Sequence, residues 1–95
     1  MAMPETIEKV RECLRICHED LDGQIADEID EAIDDLKRIG VINVDETEPL
    51  ILSAIKEYVR SKEAPDINTA EIYRKRYEQF IAGLSLSEGY GYRDE

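Results

Sequence analysis

Asp20 to Gly40, DLDGQIADEIDEAIDDLKRIG, limits the fold more than any other stretch of the chain. On a helical wheel Leu21, Ile25, Ile29, Ala32, Ile33, Leu36 and Ile39 fall within roughly 120°, the width of one core-facing stripe. Asp27, Glu28, Asp30, Glu31, Asp34 and Asp35 take the other side. Lys37 and Arg38 close the segment where cations suit the helix dipole, and Gly40 stands where a left-handed C-cap is wanted. Asp20 or Asp22 is expected to cap the start. Such a helix has one apolar face that the rest of the chain must cover and one acidic face that is left to solvent or a partner.

The flanking segments read as helices too. Pro4 suits a first helical turn, and Ile7, Val10, Cys13, Leu14 and Cys17 share a face, so the pattern predicts a helix over Pro4–Cys17. VINVDETEP after Gly40 is too short for a paired strand and reads as a loop. It either tucks one or two apolar side chains against the bundle or offers them to a neighbour. Thr47 or Glu48 with Pro49 opens a third helix, LILSAIKEYVRSK, which Pro65 ends. Its apolar residues, Leu52 and Val59 among them, cover roughly 200° of the wheel, more than one packing partner hides. This helix is therefore expected either at the centre of the bundle or in a contact between subunits. Asn68 with Glu71 reads as a capping box for a fourth helix, and Ile67 with Ile72 as its hydrophobic staple. Tyr73, Tyr77, Phe80, Ile81 and Leu84 form its apolar face, while Arg74, Lys75 and Arg76 make a dense basic cluster. The expected fold is all-α: a small four-helix bundle over residues 1–86, with a flexible Gly/Tyr tail at 87–95 carrying Tyr90 and Tyr92.

Charge narrows the function. Twelve basic and twenty-three acidic side chains give a net charge of −11 over 95 residues. That balance opposes tight binding of nucleic-acid phosphates and favours basic protein patches, or the lining of a passage through which a polyanion slides. No segment approaches the ~18–20 apolar residues of a membrane span, and no signal-type run opens the sequence, so a cytosolic chain with free thiols is expected.

The candidate chemistry is thin. Cys13, Cys17 and His18 fall short of the four ligands zinc requires, and no further cysteine or histidine exists to complete them. The acids of residues 27–35 lie on a helix, not in a calcium loop, and nothing predicts a cleft with two carboxylates of separated pKa. No phosphate loop or nucleophile elbow occurs. No catalytic, metal or cofactor site is expected, and the chain does not read as an enzyme. Tyrosines in a Gly-rich tail suit either plain disorder or anchorage on a partner.

The order of segments resembles a known family. LRICHEDLDGQI, a helix closing in DDLKRIGV, DETEPLILSAIKEYVRSK, and AEIYRKRYEQFIAGLSLS before a Gly/Tyr tail together are similar to the head–tail connector proteins of long-tailed bacteriophages and prophages. The likeness spans roughly Ile7 to Tyr90 and includes no catalytic motif. It implies a structural protein of the virion neck, made in the host cytoplasm. Such subunits form a ring, generally dodecameric, beneath the portal; the ring joins the stopper or tail-completion protein and lets DNA pass without specific binding. The resemblance supplies no matched contact residues. The expected subunit interface therefore rests on wheel and charge: Asp27, Glu31 and Asp34 against Arg74, Lys75 and Arg76 of the next copy, with Leu52 and Val59 from the wide apolar arc. Tyr90 and Tyr92 are the expected partner anchors. A different class fits the same charge, namely a small acidic helical adaptor or DNA-mimic regulator that binds a basic partner.

Overall fold

The computed structural model describes residues 2–16, 19–41 and 44–86, the side chains of 84–86 excepted. Among them are four helices and no strand: α1 (Pro4–Cys13), α2 (Asp22–Arg38), α3 (Pro49–Glu63) and α4 (Ile67–Leu86). The all-α fold expected from the sequence is the one found. Cys17, His18, Tyr90, Tyr92 and the side chain of Leu84 lie outside the described residues.

The wide apolar arc of α3 is explained by position. α3 packs against α1, α2 and α4, so three sides need apolar cover. Ile51, Ala54, Ile55 and Val59 are fully buried against Val10 of α1, Ile25, Ile29 and Leu36 of α2, and Tyr77 of α4. Val59 is 0 % and Leu52 only 9 % exposed within one copy. The expectation that these two face a neighbouring subunit is therefore corrected: the central placement of α3 covers them within one copy, and of the arc's leucines only Leu50 stays largely open, at 41 % exposure.

Helix ends show where local chemistry decided the geometry. Gly40 takes φ 98°, its N–H donates to the Lys37 carbonyl, and the Val41 N–H donates to the Leu36 carbonyl. That pair of bonds is a Schellman motif, and Val41 and Leu36 both lie in the core beneath it. The loop reading of VINVDETEP holds at Val41 and at Val44, which packs against the core. α1 ends the same way at Cys13, four residues before the predicted Cys17. Arg15 sits at φ 60°, its N–H donates to the Glu12 carbonyl, and the Ile16 N–H donates to the Arg11 carbonyl.

Two capping expectations need correction. Asp22 does not cap α2; its carboxylate instead accepts two bonds from Arg11 Nη1 at 2.9 and 2.7 Å, tying α1 to α2, and the N-cap position is taken by Leu21, whose side chain cannot cap. α4 begins at Ile67, and Asp66 caps it by accepting the Thr69 N–H at 2.7 Å. The box based on Asn68 is thus displaced two residues upstream. Its staple is absent, with Ile67 78 % and Ile72 52 % exposed.

Candidate functional surfaces

The acids of α2 divide by their angle on the helix. Asp27, Glu31 and Asp34, spaced four and three residues apart, are exposed along one outer stripe. Glu28, Asp30 and Asp35 lie on the flanks and are half-buried. Asp35 accepts the Tyr77 hydroxyl at 2.7 Å and pairs with Arg38, so it serves the α2–α4 seam. Burial, then the Asp35 carboxylate, pushes the Tyr77 phenol above its ordinary value. Tyr58 crosses the Tyr77 ring edge to face at 5.2 Å between centroids.

Glu28 meets Glu63 of α3. Burial, the hydrogen bond to Glu63 and the charge of that neighbour raise the Glu28 carboxyl to about 8, so it holds its proton at neutral pH. Gln24 Nε2 donates to Glu63 Oε2 at 2.6 Å and fixes the other partner. The pair reads as a helix–helix joint between α2 and α3.

The basic cluster of α4 also divides. Residues two apart on a helix point about 200° from each other, so Arg74 and Arg76 cannot form one patch. All three of Arg74, Lys75 and Arg76 are exposed. Arg74 borders a cleft of ≈ 290 Å³ that also holds Arg38, Lys62, Asp35, Tyr58 and Tyr77. Arg76 borders a cleft of ≈ 460 Å³ on the other flank, with Arg15, Arg60, Tyr73 and Cys13. There the guanidinium carbons of Arg60 and Arg76 lie 5.6 and 5.5 Å from the Tyr73 ring centroid, close enough for the ring to hold both cations. Glu57 accepts from Arg60 Nη1 at 2.9 Å and steadies it further. Among the described residues Glu63 is the only acid in the lining of this second cleft, and Gln24 occupies one of its oxygens.

Sequence reasoning treated Arg74, Lys75 and Arg76 as a unit and missed Arg15, Arg60 and Tyr73. Nothing in the linear order marks that trio, because α1, α3 and α4 bring them together only on packing. Among the described residues no group of three His, Cys, Asp or Glu side chains could hold a metal ion, and no helix is long and apolar enough to cross a membrane. Comparison with protein-family models, with curated proteins and with solved structures gives no match.

Proposed function

We propose that this chain is a structural subunit of the neck of a long-tailed phage particle, a head–tail connector. Copies of it would form a ring, dodecameric in the virion, between the portal and the stopper or tail-completion protein. The order of segments described above supports the reading, and so does a net charge that keeps DNA phosphates from adhering as they pass. The observation that carries it furthest is the separation of charge, with an exposed acidic stripe on α2 and basic side chains gathered in two clefts along α4. Because the buried core is closed within one copy, contacts between copies would rest on charged side chains together with the few exposed apolar ones, Leu50, Ile67 and Ile72. Subunits would then stay apart in dilute solution and assemble on a portal template. Electron microscopy of the purified chain mixed with a portal ring tests this: annular caps seated on the portal are expected, and bare portals at saturating chain concentration would overturn it.

The stripe of Asp27, Glu31 and Asp34 also favours a second reading, an acidic adaptor that imitates DNA toward a basic partner. Size-exclusion chromatography with light scattering separates the two. A stable small species that displaces DNA from a basic protein supports the adaptor, whereas ring-sized particles support the connector.

A further inference from the structure

We infer that the cleft formed by Arg15, Arg60, Arg76 and Tyr73 is a receptor for an acidic helix face, and that its occupant is the α2 stripe Asp27–Glu31–Asp34 of a second copy of this chain. The inference rests on the reading of the chain as a self-assembling subunit, and it names the contact.

Three observations favour it. The cleft gathers three guanidinium groups from three different elements in a chain whose net charge is −11. Two of them are positioned in advance, since Tyr73 holds Arg60 and Arg76 while Glu57 anchors Arg60. Guanidinium groups fixed in this way bind carboxylates with less ordering cost than mobile lysines would. The stripe, for its part, offers three exposed carboxylates along roughly 10 Å of helix, at 1.5 Å per residue. It lies on the outer side of α2, whereas the cleft lies between the α1 terminus, α3 and α4, so the two surfaces are different patches. Joining them makes a head-to-tail contact, the kind that propagates into rings. A long polyanion such as DNA fits less well, because the chain's net charge of −11 repels what extends beyond the cleft.

Complementary charge reversal tests the contact using exposed residues only. One variant carries Arg15→Glu and Arg76→Glu; the other carries Asp27→Lys, Glu31→Lys and Asp34→Lys. In sedimentation velocity at low salt and high concentration, each variant alone should sediment as a monomer, and an equimolar mixture should regain the association of the parent chain. A disulfide provides the second readout. In a Cys17→Ser background treated with diamide as the two-electron oxidant, Glu31→Cys should form a disulfide with Cys13 of the next copy and give a ladder of dimers, trimers and larger species on a non-reducing gel. Cys13→Ser should abolish the ladder. If the parent self-associates while both reversal variants do so equally well and no ladder forms, the contact is overturned and the ring reading stands. If the mixture fails to associate but a short DNA duplex binds the parent and not the Arg15→Glu, Arg76→Glu variant, the cleft is a phosphate site and the inference is overturned. Absence of portal-bound rings in the microscope is a separate result that counts against the ring reading itself.

Discussion

Glu28 shows how one side chain sets the pH response of the bundle. Its folded-state carboxyl lies near 8, against 4.5 for a free one, because it is half-buried beside Glu63. Below 4.5 both folded and unfolded chains hold the proton. As pH rises from 4.5 to about 8 the unfolded chain releases it first, so this group's contribution to stability falls across that window. Urea midpoints of the parent should therefore drop between those limits. Glu28→Gln, which keeps the shape and the hydrogen-bonding amide, should lessen the drop and exceed the parent in stability above pH 8. Equal slopes for the two proteins would show that Glu28 titrates normally. Nothing in the sequence distinguishes Glu28 from Asp27 or Glu31. Only the angle on α2 and the approach of Glu63 do so, which is why the acidic run reads as one uniform face until α3 is in place.

At the level of elements, the legible features were those written in one local window. The stripe of α2, Pro49 at the start of α3 and the glycine C-cap at Gly40 each carry their cause within a few residues. The end of α1 does not. Apolar spacing continues through Leu14 to Cys17, but the backbone turns left-handed at Arg15, a position where glycine is the usual signal. An L residue there costs on the order of 1 kcal/mol, more than the chain entropy a glycine would lose, so Arg15→Gly should raise the thermal midpoint by a few degrees. Gly40→Ala should do the reverse, lowering stability by about 1 kcal/mol. The start of α4 was misread for a related reason: Asp66 follows Pro65 and looks like part of a breaker, while Asn68 and Glu71 match a known box. Asp66→Ala should lower the urea midpoint clearly, and Asn68→Ala should leave it nearly unchanged. A larger cost at Asn68 would restore the sequence-based cap.

For the molecule as a whole, the division of labour is between a mostly apolar core and a self-repelling exterior. Net charge −11 works against compaction, and added salt screens that repulsion once the Debye length falls to ~10 Å at 0.1 M. The thermal midpoint should rise between 10 and ~200 mM sodium chloride, an ionic strength range that spans this screening. A falling midpoint would mean that the Arg11–Asp22 and Arg60–Glu57 pairs outweigh the general repulsion. The same screening acts on a contact between stripe and cleft, in the opposite direction. Salt should thus strengthen each subunit while loosening its attachment to the next.

The seam between Asp35 and Tyr77 has an optical consequence. The chain contains no tryptophan, so its ultraviolet emission comes from tyrosine alone. A phenol that donates to a carboxylate is quenched, because the excited hydroxyl passes its proton across that short bond. Folding should dim Tyr77, unfolding should brighten it, and Asp35→Asn should leave the folded chain brighter than its parent. Without any attached dye, the protein reports whether α2 and α4 are still in register.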